Sequence, residues 1–352
     1  MYEFHWPTRT LFSPGLVAEI DEHVTPQGDV NRLLIVAPCE DWVEPLVNQI
    51  TDQLAGRWER IVSFAAVEPN PSWKTVNRGV ESAEAVEANA VLALGGGSSM
   101  DAGKVIAERA EAEFLCTVPT TAGTGGEISP WAVISDTKNR QKDSVIAKWP
   151  DLTLLDPKLT LTLPPMVTLF TSIDAFIHGL EAYLASAATP ITDALALKGM
   201  QMIVRNLRTA VDYGDDLEAR GALLQGSLLT GAAMLHAGLG LMHAIGNVTG
   251  GLYHELPHGL VLMRCMNTVL DFNMSVTGEK YEQIRPLVEQ IRDQTGTLFA
   301  ALDVPEVEVA ESDLSLLAQR AIENVNAETN PRPATQEDVE TIVRQAFVVT
   351  ST

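Results

Sequence analysis

The sequence predicts an α/β N-terminal domain built on a parallel sheet, followed by an all-helical C-terminal domain. Three observations carry this. Short continuous apolar runs alternate with polar, helix-like stretches through the first half, as in a parallel sheet covered on both faces. Prolines 157, 164 and 165 then punctuate the chain, and helical spacing dominates almost to the end. The boundary falls near Leu163, giving domains 1–163 and 164–352.

In the first domain "RLLIVAP" reads as a buried strand and residues 42–54 as a helix. "WERIVSF" is a second strand and residues 72–88 a second helix. "AVLALGGG" and "EFLCTVPT" are strands running into glycines and hydroxyls, and "AVIS" and "LTLLD" add two more. In the second domain helices are expected over 166–186, 190–211, 217–235 and 242–253, then as several shorter pieces.

With 46 acidic against 24 basic residues the net charge is −22. That disfavours nucleic acid or an anionic membrane surface as a partner. The N-terminus lacks a basic start followed by an apolar core, so no signal peptide is expected. Cys39, Cys116 and Cys265 lie far apart without CxxC spacing, which fits buried or free thiols in a reducing cytoplasm. Residues 221–254 contain no Asp, Glu, Lys or Arg and are long enough to span a bilayer. Their eight glycines and several polar residues point instead to buried helices beside a site.

Two glycine-rich strand ends suggest a nucleotide. "LALGGGSSMDAGK" places Gly96, Gly97 and Ser98, with Asp101 just beyond, where a strand enters a helix. Glycines let backbone approach a phosphate, and a helix N-terminus offers unpaired N–H groups. The spacing is neither GxGxxG nor a Walker loop. The next strand ends in "VPTTAGTGGE", where Thr120, Thr121 and Thr124 can donate to phosphate or sugar oxygens. Either loop alone fits a structural turn; the pair suggests one nucleotide laid across both.

The stretch "TSIDAFIHGLEAYL" puts Asp174, His178 and Glu181 on one stripe at i, i+4 and i+7. Taken alone it reads first as a hydrogen-bonded Asp–His pair tying helices together. Downstream, "GLGLMHAIGNVTGGLYHELPHGL" adds His243, His254 and His258. A carboxylate with three imidazoles suits a divalent transition metal such as iron or zinc.

These motifs, with "FSPG", "DPKLTLTLPP" and "TNPRPATQEDV", run in order over nearly the whole chain. Together they resemble the iron-containing (group III) alcohol dehydrogenase family, which shares the dehydroquinate synthase-like fold. The resemblance implies a nicotinamide cofactor, NAD or NADP, on the first domain and one divalent metal on the second. Asp174, His178, His243 and His258 match the family's metal ligands. Gly96, Gly97 and Ser98 match its pyrophosphate loop, Thr120, Thr121 and Thr124 its second cofactor loop, and Lys142 a lysine near the cofactor ribose. Glu181 is then expected behind the ligands, as an acceptor or ion-pair partner. A homodimer or higher homo-oligomer is the family habit.

The chain departs from the family at three places. Where many members carry a second histidine four residues after the first late ligand, this chain has Asn247; the expected replacement as proton relay is the imidazole of His254, the alternative being water and the cofactor ribose. The spacing from His243 to His258 is one residue longer than usual. Where NAD-using members often have an aspartate, Pro38 stands, with no Lys or Arg following to receive a ribose phosphate. The expected activity is metal-dependent hydride transfer between NAD(P) and a hydroxyl-rich alcohol, a polyol or sugar acid, as in the octulosonate 8-oxidase branch. The rival functions are an NAD-recycling lyase or synthase of the dehydroquinate synthase type, a non-catalytic nucleotide sensor, and metal-assisted hydrolysis.

Overall fold

The structure, a computed structural model, describes residues 2–350. The chain divides into two compact units. One consists of His5–Thr121 with Gly125–Thr162; the other runs from Leu163 onward and takes in Ala122–Thr124.

The α/β unit runs β1 (Arg9–Phe12), α1 (Ile20–His23), β2 (Arg32–Pro38), α2 (Glu44–Leu54), β3 (Arg60–Val67), α3 (Trp73–Ala85), β4 (Ala90–Gly95), α4 (Gly97–Arg109), β5 (Phe114–Pro119), β6 (Trp131–Asp136), β7 (Gln141–Ile146) and β8 (Leu152–Leu155). Six strands form a parallel sheet in the order β1-β8-β5-β4-β2-β3. Side chains alternate between its faces with period two. Leu33, Ile35, Leu92 and Leu94 enter the core shared with Val47 and Ile50 of α2. Leu34, Val36, Val91 and Ala93 enter the opposite core, with Val76 of α3 and Ile106 of α4. This two-sided burial is why β2, β4 and β5 read as unbroken apolar runs.

Two strands of this unit lay outside the sequence reading, as did β9 and β10 (Glu308–Ala310 and Val348–Thr350) near the C-terminus. β1 has four residues and only one covered neighbour, so it carries no apolar run. β7, "QKDSVI", pairs antiparallel with β6 and is half-buried up to its last residue, the exposed Ile146. This hairpin is tied to α4 by the fully buried Lys104, whose ammonium donates to the carbonyls of Gly126 (3.1 Å) and Trp131 and meets Asp101 Oδ1 at 2.9 Å. Close by in sequence, Glu127 is 3% exposed and its Oε1 has no hydrogen-bond partner. Burial raises its carboxyl to about 7, against the opposing charge of Lys104.

The helical unit contains α5 (Pro165–Leu184), α6 (Pro190–Asp212), α7 (Leu217–Ala237), α8 (Leu241–Leu252), α9 (His258–Ala301), β9 (Glu308–Ala310), α10 (Leu314–Glu323), α11 (Gln336–Ala346) and β10 (Val348–Thr350). Its central helix α5 is buried continuously from Ser172 to Leu184. Close packing around it depends on missing side chains: a Cβ at Gly179 would lie 2.7 Å from Thr230 of α7 and 2.8 Å from Met200 of α6. The start of α5 is held by Arg220 of α7, which is 2% exposed and donates to Thr168 Oγ1 (2.5 Å) and to the carbonyls of Gly214 (2.8 Å) and Leu163 (3.2 Å). Those bonds offset the desolvation of a guanidinium that has no buried carboxylate opposite it among these contacts.

The shorter C-terminal pieces expected after residue 258 are instead one 44-residue helix, α9. Pro286 lies inside it but on an exposed position. The buried stripe Val269, Asn273, Thr277, Tyr281, Ile284, Val288, Ile291, Thr295, Leu298 continues across it at helical spacing. Packing of that stripe overrides the local cost of the proline. Among the described residues no single helix is long and apolar enough to cross a membrane; α7 and α8 pass that test only jointly and are bent by 101°.

Two expectations follow. A Cβ at Gly259 would lie 2.1 Å from the carbonyl oxygen of Phe170 in α5, so Gly259→Ala should lower the free energy of urea unfolding by about 1–3 kcal/mol; an unchanged midpoint would mean α9 moves aside freely. Glu127 has a folded pKa above its unfolded value, so its contribution is intact below pH 4.5 and lost as pH rises through about 7. Glu127→Gln should therefore flatten the fall in thermal stability between pH 5 and 8, by on the order of 1–3 kcal/mol. Parallel slopes in variant and wild type would refute it.

Candidate metal centre and nucleotide loops

Asp174 and His178 sit one turn apart on α5, His243 comes from the first turn of α8, and His258 is the first residue of α9. The Nε2 atoms of His243, His178 and His258 lie 3.4, 3.7 and 3.7 Å from one and the same atom, Asp174 Oδ1. A structural Asp–His pair would show one short hydrogen bond of about 2.8 Å and no reason for a third imidazole. Separations of this size are instead what ligands of one ion adopt: with metal–ligand bonds of about 2.1 Å, the edge of a tetrahedron is about 3.4 Å. Candidate ligand atoms of Asp174, His178 and His243 all fall within 4.8 Å of one another, and all three residues are buried. The rings of His178 and His243 stack with centroids 4.5 Å apart. His258 is the more open of the four, with 29% of its side chain exposed. The donor set of one carboxylate and three imidazoles fits a divalent iron or zinc ion.

The electrostatics are those of a site made for a cation. Burial opposes the Asp174 charge, yet His178 and the hydrogen bond to His243 prevail and hold its carboxyl far below the usual range. Burial, helped by the charge of His243 and opposed by that of Asp174, lowers His178 to about 4. At His243 burial is outweighed by the hydrogen bonds and charges of Asp174 and Glu181, which raise it to about 9.

Glu181 lies behind the ligands. Its Oε2 is 2.6 Å from His243 Nδ1, and its Oε1 accepts the Met242 N–H at 2.7 Å. The neighbouring Leu241 N–H is accepted by Asn330 Oδ1 at 3.2 Å, and the amides of Asn330 and Asn273 bond each other reciprocally at 2.9 and 3.1 Å. Asn330 belongs to the "TNPRP" motif; nothing in its local spacing announced a role at α8.

In the α/β unit, β4 ends at Gly95, whose φ of +136° and neighbour Ser99 Oγ, 2.6 Å from a hypothetical Cβ, admit only glycine. α4 starts at Gly97 with Gly96 as its N-cap and no side chain capping it. Its first N–H groups, including those of Gly97 and Ser98, are the kind that bind phosphate. A Cβ at Gly96 would lie 3.2 Å from Thr121 Cγ2, and the Thr120 N–H donates to Gly95 O at 2.8 Å, so the two loops pack together. Asn70 (φ +55°) joins them: its N–H donates to Ser98 Oγ at 3.1 Å, and its Oδ1 accepts from Lys142 Nζ at 2.9 Å. The "PNP" turn was the available signal for Asn70. Thr124, grouped with the helical unit, follows Gly123, whose Cβ position is 2.9 Å from Thr171 Cβ.

Two expected site residues take other places. Asp101 serves as a brace: Oδ1 meets Lys104 at 2.9 Å and Oδ2 accepts the Val133 N–H at 3.0 Å, so each oxygen has a partner that helps to fix the hairpin. His254 lies in the loop between α8 and α9 with 87% of its side chain exposed and Nδ1 3.5 Å from Glu255 Oε2. A proton relay in a water-excluded site needs a sheltered imidazole, and the structure does not bring His254 into the buried cluster.

Comparison with known proteins accounts for both units. Residues 7–157 match the family described as "Iron-containing alcohol dehydrogenase" and residues 168–347 the "Fe-containing alcohol dehydrogenase family, C-terminal". The chain is 30% identical to 1,3-propanediol dehydrogenase of Citrobacter freundii, covering 99% of both chains. It is also 30% identical to NAD-dependent methanol dehydrogenase of Bacillus methanolicus, covering 99% of this chain and 100% of that one. A solved structure of 1,3-propanediol oxidoreductase superposes with a TM-score of 0.88 at 28% identity, over 99% of this chain and all of that one. Fold and sequence agree, and the chain belongs to the iron-containing alcohol dehydrogenase family, oxidoreductases that act on CH–OH groups.

Proposed function

We propose that the protein oxidises and reduces a hydroxyl-bearing primary or secondary alcohol, a diol, polyol or sugar acid, with NAD as the hydride partner. The observation that carries this is the convergence of three Nε2 atoms on Asp174 Oδ1. Asp174, His178, His243 and His258 would hold one divalent metal. When bound, the metal supplies a Lewis acid that lowers the pKa of the alcohol, and the nicotinamide supplies the hydride acceptor.

The protein's own groups do the positioning. Gly96, Gly97 and Ser98 offer N–H groups to the pyrophosphate, Thr120, Thr121 and Thr124 offer hydroxyls, and Lys142, aligned by Asn70, faces the ribose in this reading. Pro38 abuts the first loop, its Cδ 3.1 Å from the Gly95 Cβ position, and is followed by Glu40 and Asp41. Two carboxylates there disfavour a ribose 2′-phosphate, which supports NAD over NADP. Asn247, one turn beyond His243 on α8, cannot relay a proton but can exchange hydrogen bonds with a second substrate hydroxyl. Both NAD and a hydroxyl-bearing substrate have parallels in relatives named for NAD-dependent methanol and 1,3-propanediol oxidation. The cysteines are free, which suits the reducing cytoplasm, and a homodimer is part of the proposal on the family habit.

Two experiments test it. Purified wild type should hold about one iron or zinc per chain by mass spectrometry, while His178→Ala should lose it and still bind NAD by calorimetry. Metal-free wild type with unchanged NAD binding would end the reading. Second, nicotinamide absorbance should change through many turnovers with alcohols, at least about tenfold faster in kcat/KM with NAD than with NADP. A panel of 1-propanol, 1,3-propanediol, glycerol and sugar acids including 3-deoxy-manno-octulosonate reads the substrate class. A preference for 1-propanol removes the hydroxyl-rich assignment, and no net reduction with any alcohol favours the lyase.

A further inference from the structure

We propose that Glu181 is the positioning residue of the metal centre: its carboxylate fixes the ligating tautomer of His243 and, through the same two oxygens, holds the start of the helix that carries this histidine. The proposal rests on reading Asp174, His178, His243 and His258 as one metal centre.

The geometry points to this from both ends of the carboxylate. Oε2 stands 2.6 Å from His243 Nδ1, a short, charge-assisted contact. An ionised carboxylate only accepts, so a proton sits on Nδ1, and a metal that took the place of any proton on Nε2 would find that nitrogen as its ligand. Oε1 accepts the Met242 N–H at 2.7 Å, and Oε2 lies 3.4 Å from the His243 N–H. These are first-turn N–H groups of α8, whose N-cap is Gly240 and offers no side chain. A helix start without its own cap needs acceptors from elsewhere, and a negative one is favoured there by the helix dipole. Glu181, 5% exposed, is therefore compensated on three sides, with no Lys or Arg ion pair to it among the described residues.

Gly240 supplies an independent handle. A Cβ at this position would lie 2.8 Å from Glu181 Oε1 and 2.9 Å from Asn330 Oδ1. The absence of a side chain is what lets the carboxylate reach the helix. Glu181 also follows His178 by three residues on α5, so one helix delivers two ligands and the group that aims a third.

The test is cobalt(II) binding to the full chain, read by competition with a chromophoric chelator and by the d–d spectrum. Wild type, Glu181→Gln, Glu181→Asp and Gly240→Ala are compared, with thermal unfolding of each metal-free protein alongside. The Gln amide can donate to Nδ1 and so favours the wrong tautomer. Glu181→Gln should therefore weaken cobalt binding by about 10–100-fold and alter the d–d bands. Glu181→Asp should recover part of the affinity, and Gly240→Ala, which alters no ligand, should also weaken it. Wild-type affinity and spectrum in Glu181→Gln would overturn the proposal. So would losses that track metal-free stability alone with the spectrum unchanged, since these describe a mere helix brace. Should Glu181→Gln fail to fold, Gly240→Ala decides on the same criteria. A wild type that binds no cobalt overturns the metal centre itself, a failure distinct from equal binding by wild type and variants.

Discussion

Asp174 is a carboxylate kept 5% exposed within a 20-residue helix, and the surrounding helices are arranged around the problem that this creates. An isolated buried charge of this kind costs several kcal/mol unless paired or ligated. Three imidazoles from three different helices surround its Oδ1, and none sits at the short distance that would discharge the cost by one good hydrogen bond. The arrangement makes sense as a socket whose compensation arrives from outside. The scaffold keeps it open by close helix packing: Gly179 on the ligand helix and Gly259 beside the fourth ligand allow backbones to approach where any side chain would collide.

The α/β unit solves a different problem. Its sheet is buried on both faces, so polar function is confined to the ends of β4 and β5, where glycines and threonines replace apolar side chains. Polar ties add order there, Asn70 to Ser98 and Lys142 beside the loops and the buried Lys104 to two carbonyls of the adjoining hairpin segment. Such ties rigidify only if all members are satisfied, and the partnerless Oε1 of Glu127 marks the place where this one is not.

Much of this was legible in the sequence because it depended on spacing within one element. The i, i+4 pair Asp174–His178, the buried runs of β2, β4 and β5, and the starts of α6 and α7 are local patterns that packing merely obeys. What was illegible depended on distant chain. Asn330 caps α8 across 89 residues, and Asn70 aligns Lys142 across 72. Asp101 stood out because it lies just beyond the glycine loop; that its Oδ2 accepts the Val133 N–H of β6, 32 residues away, is a contact no local pattern names. α9 reads as separate pieces because Pro286 and the glycines at 278 and 296 outweigh, locally, a buried stripe that is apparent only over about eight turns. His254 carried the right chemistry at a position the fold leaves in solvent.

The donor set has a consequence for the protein in a cell. One carboxylate and three neutral nitrogens contain no soft thiolate and impose no geometry that singles out iron. Divalent affinity at such a set follows the Irving–Williams order, with copper and zinc ahead of iron. In the proposed centre His258 is the most exposed of the four residues, with 29% of its side chain open. An ion exchanging there would make the free-metal pools of the cell, and not the protein alone, decide which metal resides and how much of the protein is active.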